Sequence, residues 1–335
     1  MAFYVGGSRD TRGLPRRLNT RVKEAIDTKM RLARAKLRIS EQKAKGERVI
    51  LLLFRAKVTS AKPKLRKNSC KYSILSRYLI IFVTSMITMN YEFEICANGV
   101  ESCLAAQEGG AHRVELCAGI PEGGTTPSYG EILTARRLLT STRLHVIIRP
   151  RGGDFVYSAL ELERMAADID MARELKADGV VFGCLTPDGD IDREANAMLM
   201  THTGTMSVTF HRAFDRTRHA QQALEDIVQL GFNRILTSGQ QANAERGIQL
   251  LKELHQLADG RIAIMAGCGV NEHNIARIQR ETGITEFHFS AREPQPCRSH
   301  YFNPDVYMGK AGADECTLSI TTSRRVKETI MRIEK

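Results

Sequence analysis

The sequence predicts an α/β fold, a (β/α)8 TIM barrel that follows a basic N-terminal extension. Short apolar runs alternate with segments of helical periodicity from Met89 onward, and eight such units are present. Alternating strands and helices favour a parallel sheet, and eight units match the strand number of a closed barrel. A doubly wound open sheet is the alternative, but no GxGxxG motif follows the first strand, so we expect no nucleotide cofactor.

The balance of basic and acidic residues changes at the same point in the chain, near Met89. Residues 1–88 contain 22 Lys and Arg but 5 Asp and Glu, whereas the remainder contains 27 and 33. We therefore expect a basic extension over 1–88, predicted to be non-globular, and a barrel domain over 89–335. A targeting arm and a nucleic-acid contact are alternatives for such a segment, although its few aromatic residues do not favour nucleic-acid binding.

The apolar segments and the cysteines indicate a soluble cytoplasmic protein. The longest apolar run, over 78–88, is shorter than the roughly 18 residues that a membrane span needs. The N-terminal residues are too charged to include the apolar segment of a signal peptide. None of the eight Cys forms a CxxC pair, which argues against a structural zinc site, and free thiols are expected in a reducing compartment.

The eight strands are predicted from local patterns in chain order. The first two, "YEFEIC" and "RVELC", alternate apolar and polar residues, and the later ones are short runs rich in Val, Ile and Phe. Their ranges are 91–96, 113–117, 144–149, 179–184, 207–211, 234–237, 261–266 and 286–290. Helical spacing follows each strand, and Gly is expected to end several helices, as in "QLGFN". The last helix is expected in "TTSRRVKETIMRI", after a long segment over 292–320.

Strand alternation also predicts which side chains face the barrel interior. Helix-facing residues such as Phe93 and Ile95 should be apolar, so their neighbours point inward. The same rule collects polar residues on the inner wall: Glu94, Glu115, Arg149, Thr209, His211 and His288. Buried charge without a partner is costly, so a paired network is expected at the mouth. Our hypothesis places Glu94, Glu115, Arg149, His211 and Asp215 in a catalytic set, in which Glu94, Glu115 or His211 acts as the general acid or base. A structural ion network is the alternative.

The loops after the strands predict a second feature, a site for a small anion. "RPRGGDF" follows the third strand and "FHRAFD" the fifth. The Gly-containing turns "LTSG" and "AGCG" follow the sixth and seventh strands, and "SAR" follows the eighth. Gly-rich turns expose backbone N–H groups, and Arg supplies fork-shaped donors for phosphate or carboxylate. The residues predicted to hold the anion are Arg149, Arg151, Asp154, Arg212, Ser238, Gly239, Gly267, Gly269, Ser290 and Arg292.

Two thiols are predicted to meet inside the barrel. Cys96 and Cys117 end the first two strands, share one face and lie at matching depth. Neighbouring strands are about 4.8 Å apart, so the two side chains can converge. Paired thiolates suit a soft metal, above all Cu(I). Because Cys also behaves as a small hydrophobe, two buried core residues are the alternative.

The motifs "EICANGVES", "GGAHRVELC", "IIRPRGGDFVYS", "VTFHRAFD", "RILTSG" and "EFHFSAR" together closely resemble the CutC family of copper homeostasis proteins. The resemblance runs from Tyr91 to the C-terminus. It implies a cytosolic barrel that assembles into homo-oligomers, and copper binding at Cys96 and Cys117. Two functions stay open: a Cu(I)-binding homeostasis protein, and an enzyme that acts on a small anionic substrate, phosphorylated or not. An adaptor that works through the basic extension is a third alternative.

Overall fold

The protein is described by a computed structural model for residues 91–303, 305–309, 312 and 314–333. The extension predicted over 1–88 lies outside these residues. Ten strands are present in the described part of the chain. Their bounds are β1 Glu92–Ala97, β2 Arg113–Leu116, β3 Arg143–Ile147, β4 Gly179–Phe182, β5 Ser207–Phe210, β6 Arg234–Thr237, β7 Ala263–Gly267, β8 Glu286–Phe289, β9 Arg292–Pro296 and β10 Thr317–Thr321.

Eight α-helices of the described part of the chain cover the strands. Their bounds are α1 Val100–Glu108, α2 Tyr129–Leu138, α3 Ala159–Glu174, α4 Arg193–Met200, α5 Ala220–Gln229, α6 Ile248–Ala258, α7 Ile275–Thr282 and α8 Ser323–Ile330. Two short 3-10 helices, Ile120–Glu122 and Arg212–Arg216, lie in the loops after β2 and β5. No helix within the described ranges combines the length and the apolar character needed to cross a bilayer.

Strands β1 to β8 form one closed, parallel barrel in chain order, which confirms the predicted TIM-barrel fold. β1 closes the ring by pairing with both β2 and β8, so Glu94 lies beside Arg113 on one side and His288 on the other. The helix-facing residues Phe93 and Ile95 are fully buried. The carboxyl ends of all eight strands therefore meet at one mouth, where barrels build their functional sites.

Capping boxes fix the start of the helices that follow β2 and β3. The Ser128 side chain accepts from the Glu131 N–H, and Glu131 accepts from the Ser128 N–H in return. Ser158 and Glu161 repeat this pattern at the start of α3. Each box satisfies two backbone donors that a helix start leaves free. The S-x-x-E spacing thereby sets the length of the two loops that reach the barrel mouth.

The segment between β8 and α8 contains a structure that the sequence did not predict. β9 and β10 form an antiparallel two-stranded sheet beyond the barrel. β9 reads "REPQP", in which two Pro remove backbone donors, and most residues of both strands are exposed. The hairpin leads into α8, whose Val326 packs against Gly109 at the end of α1. The C-terminal helix thus packs against the first helix of the barrel.

Candidate functional site

The two predicted thiols meet at the mouth. Cys96 lies in β1, and Cys117 directly follows β2, held there by a 2.9 Å hydrogen bond from its N–H to the Ala97 carbonyl. The two Sγ atoms are 3.7 Å apart. No disulfide joins them, and the seven cysteines of the described residues are all free. The predicted matching depth is wrong, because the register pairs Cys96 with Glu115 and places Cys117 two residues further along. The two thiols are nevertheless in contact.

Positive groups surround Cys96. Arg292 Nη2 donates to the Cys96 Sγ at 3.2 Å. A hydrogen bond from the Cys117 thiol, aided by His288 and Arg292, overcomes burial and holds the pKa of Cys96 well below its usual range. The same thiol pair, together with burial, raises the pKa of Cys117. The site thus favours one thiolate next to one thiol.

Glu115 adds a carboxylate to the thiol pair. Its Oε2 is 3.5 Å from the Cys117 Sγ and 3.7 Å from His288 Nε2. One ligand atom each from Cys96, Glu115 and Cys117 all lie within 4.8 Å of one another. Burial raises the pKa of Glu115 to about 8, and its Oε1 is buried without a hydrogen-bond partner.

His288 connects this group to a second carboxylate, Glu94. Its Nδ1 lies 2.7 Å from Glu94 Oε1. Burial alone would lower the pKa of His288, but hydrogen bonds to Cys96 and Glu94 and the negative charges nearby raise it well above its usual range. Burial alone would raise the pKa of Glu94, but Arg113 and His288 hold it well below its usual range. The two glutamates therefore share one imidazolium.

Below the mouth, charged residues continue across the barrel interior. Arg113 is fully buried and forms ion pairs with Glu94 and Glu286, the latter at 2.9 Å. Arg234 pairs with the same Glu286 at 2.9 Å and donates to Thr209 Oγ1 at 3.3 Å. Sequence reasoning missed both arginines. The alternation rule could have found Arg113, because it lies two residues before Glu115 and shares its face.

The structure gives Arg149 and His211 different partners from those expected. Arg149 donates to the backbone carbonyls of Glu122, Gly124 and Gly153 at 2.7–3.0 Å. His211 directly follows β5, and its Nδ1 accepts from the Ala213 N–H at 3.3 Å. Among the described residues, neither side chain is hydrogen-bonded to Glu94 or Glu115. The polar residues predicted for the inner wall therefore form two clusters, one around Glu94 and Glu115 and one around Arg149 and His211.

Asp215 organises the loop after β6. Its Oδ1 accepts from Thr237 Oγ1 at 2.5 Å and from the Ser238 N–H at 3.1 Å, and its Oδ2 accepts from Arg212 Nε at 2.8 Å. The Gly239 N–H donates to Thr237 Oγ1 at 2.9 Å. Arg212, Ser238 and Gly239, which the sequence predicted to bind an anion, thus donate hydrogen bonds to other residues of the protein.

Arg151 and Asp154 hold the loop after β3. Arg151 Nε donates to Glu161 at 2.6 Å, and its Nη2 is 3.0 Å from the Asp154 carboxylate. Gly267 ends β7, and Gly269 follows at a φ of 73°, where a side chain would be strained. Ser290 follows β8, and its carbonyl accepts from Thr321 Oγ1 at 2.9 Å. These residues all lie at the mouth. The contacts given for them above are with other residues of the protein.

The comparisons with known proteins indicate one family. A family model described as the CutC family matches residues 91–293. A family protein CutC from Bacteroides fragilis is 64% identical over 245 residues, which cover 73% of this chain and 98% of that protein. A human protein named copper homeostasis protein cutC homolog is 45% identical over 235 residues, covering 70% of this chain and 86% of that one.

One solved structure of a similar protein can be superposed on the barrel. A protein from Streptococcus agalactiae, named as a copper homeostasis protein CutC, superposes with a TM-score of 0.58 at 38% sequence identity. The match covers 60% of this chain and 98% of that chain. The family model spans more than half of the sequence, and the two relatives agree with it. The chain therefore belongs to the CutC family.

Proposed function

We propose that this protein is a copper homeostasis protein that binds Cu(I) through Cys96 and Cys117. The observation that carries the proposal is the 3.7 Å separation of the two Sγ atoms on neighbouring strands. Metal–thiolate bonds are about 2.3 Å long, as in zinc sites, so two sulfurs on one ion lie at most about 4.6 Å apart. The observed separation falls within this limit without any movement of the strands.

The charges around the thiols also favour a soft monovalent cation. Two thiolates and one Cu(I) carry a net charge of −1, and the site supplies Arg292 and His288 beside Cys96. Thiolate ligands select Cu(I) over harder cations. Glu115 is the third group within reach, although a carboxylate is a poor ligand for Cu(I). The human and streptococcal relatives, both named for copper homeostasis, support the same role.

A competition titration tests the proposal. Cu(I) is titrated against a colorimetric chelator in the presence of the wild type, Cys96→Ser, Cys117→Ser and, as a matched control, Cys268→Ser. Cys268 lies at the mouth on the loop after β7, and its Sγ donates to the Ala242 carbonyl at 3.3 Å. We expect each site variant to lose at least about tenfold in affinity and the control to keep it. Equal affinity in both site variants would refute the site.

We further propose that the protein works in the cytoplasm and as a homo-oligomer. A thiolate site needs a compartment that keeps cysteines reduced, and the seven described cysteines are free. Cell fractionation tests the location, and sedimentation of the full-length chain tests the assembly. A monomer at all concentrations would contradict the second statement.

A second candidate function is acid–base catalysis on a small molecule bound at the mouth. The favouring observation is the arrangement of Glu115 and His288, whose atoms are 3.7 Å apart, with Glu115 Oε1 buried and unpartnered. A buried carboxyl group whose pKa is about 8, beside a histidine, can give up and take back a proton near neutral pH. Mass spectrometry of metabolites that co-purify with the wild type but not with Glu115→Gln tests this function. Identical metabolite profiles would argue against it.

A further inference from the structure

Arg149 carries a positive charge that no carboxylate of the described residues neutralises. It is 5% exposed, and its terminal nitrogens donate only to three backbone carbonyls. Its Nε is buried and has no acceptor. Carbonyl oxygens satisfy hydrogen bonds but bring no net charge, so the cation stays under-compensated in a water-poor site. Buried cations in such surroundings normally have an anionic partner.

Two further polar groups beside Arg149 lack partners. His211 is 4% exposed, and its Nδ1 accepts a hydrogen bond, so the neutral ring carries its hydrogen on Nε2. That Nε2 is buried without an acceptor. Burial, and then the charge of Arg149, lower the pKa of His211 to about 3, which keeps the ring neutral near pH 7. The Tyr157 hydroxyl is likewise buried and makes no hydrogen bond of ordinary length among the described residues, although Arg149 lies near enough to oppose the rise that burial causes in its pKa.

Phe155 brings two of these side chains together. The guanidinium carbon of Arg149 lies 5.0 Å from the centroid of the Phe155 ring, and the His211 ring centroid lies 4.9 Å from the same point. Burial raises the pKa of Tyr157 and also that of the neighbouring Cys184, so both groups are neutral. The cluster therefore holds one positive charge and three unused donors: an Arg N–H, an imidazole N–H and a phenol O–H.

We propose that Arg149, His211 and Tyr157 form a binding site for a small carboxylate. One carboxylate matches the single charge, and its two oxygens accept from such donors. A phosphate dianion would bring a second negative charge, for which the cluster offers no free cation, because the Arg151 donors are engaged by Glu161 and Asp154. A neutral ligand would leave Arg149 uncompensated.

The carboxylate site adjoins the thiol pair but does not depend on copper binding. Gly124 connects the two, because its carbonyl accepts from Arg149 while its Cα faces Cys117. A side chain at position 124 would come within 3.8 Å of the Cys117 Sγ. A bound carboxylate would thus sit at the same mouth as the metal ligands. It would also serve the second candidate function, although binding is measurable without turnover.

The test uses the full-length chain and acetate as the probe. Saturation transfer to the acetate methyl protons detects weak binding, and the unfolding midpoint is followed against acetate, inorganic phosphate and chloride at equal ionic strength. Tyr157→Phe removes a hydroxyl that makes no hydrogen bond of ordinary length among the described residues, so we expect it to fold. Tyr129→Phe, at an exposed position, is the matched control.

We expect acetate to raise the midpoint saturably, phosphate and chloride to have no such effect, and Tyr157→Phe to weaken acetate binding about tenfold. The control should bind as the wild type does. Acetate that stabilises no more than chloride would overturn the proposal. Saturable stabilisation by phosphate alone would overturn the assignment to a carboxylate, and unchanged acetate binding in Tyr157→Phe would remove Tyr157 from the site.

Discussion

Glu94 and Glu115 lie on the same face of neighbouring strands, yet their surroundings drive their pKa values in opposite directions. Glu94 contacts the buried Arg113 and is held ionised. Glu115 lacks such a partner for its Oε1, and burial raises its pKa to about 8. Alternation in the sequence predicted that both face inward. It could not assign their partners, because those depend on which strands close the barrel.

Removal of the Glu94 charge should destabilise the protein. Glu94→Gln leaves the buried Arg113 with Glu286 at 2.9 Å and the more distant, partly exposed Glu92 at 3.7 Å, so we expect the free energy of unfolding to fall by about 3 kcal/mol. Urea denaturation measures the change. Glu225→Gln, which breaks an exposed ion pair with Arg261, is the control and should change little. A Glu94 variant as stable as the control would show that the interior pair is dispensable.

Glu115→Gln should change the pH dependence of stability. The folded pKa of about 8 exceeds the unfolded value of 4.5, so the unfolded state loses its proton first as pH rises. Wild-type stability should therefore fall between these values and level off above them. The variant lacks this loss, so between pH 4 and pH 9 its stability should gain on that of the wild type by up to about 5 kcal/mol. Parallel pH profiles for both proteins would contradict the assignment.

At the scale of elements, local patterns predicted the eight barrel strands to within a few residues, and the last helix was found as well. The hairpin of β9 and β10 escaped prediction for a physical reason. Its strands are short and largely exposed, so they show no apolar alternation, and Pro294 and Pro296 normally argue against a strand. β9 and β10 are defined by their hydrogen bonds to each other and not by the burial of one face.

The contact between α1 and α8 should be sensitive to one methyl group. A Cβ on Gly109 would lie 2.5 Å from the Val326 Cβ and 2.9 Å from the Ser323 carbonyl oxygen. We expect Gly109→Ala to lower the free energy of unfolding by about 1–3 kcal/mol, as overpacking does. A Cβ on Gly130 in α2 would make only an ordinary contact with the Ser128 Oγ at 3.9 Å, so Gly130→Ala should be neutral or stabilising. Equal stability of both variants would show that α8 moves aside freely.

At the scale of the whole molecule, the CutC match lies within the predicted barrel domain. The Bacteroides fragilis relative is covered over 98% of its length by 245 residues, although this chain has 335. The eightfold alternation predicted the barrel because strand count and connection length leave few parallel architectures. The sequence could not predict the two clusters at the mouth. The loop carbonyls that bind Arg149 are backbone groups, which leave no recognisable pattern in a sequence.

Residues 1–88 should be dispensable for folding of the barrel. The charge balance changes at this boundary, and no strand–helix period precedes it. We expect a chain that begins at Met89 to unfold within a few degrees of the full-length midpoint, measured by calorimetry at matched salt concentration. A large drop in the midpoint would mean that the basic segment contributes to the folded core.

X-ray absorption at the copper edge, on the full-length protein loaded with one equivalent of Cu(I), tests the central claim most directly. The account predicts two sulfur scatterers in the first shell, because Cys96 and Cys117 converge at the mouth. The sulfur signal should drop by half in Cys117→Ser and stay unchanged in Cys268→Ser. A first shell of nitrogen and oxygen alone, or a sulfur signal that survives removal of both Cys96 and Cys117, would contradict it.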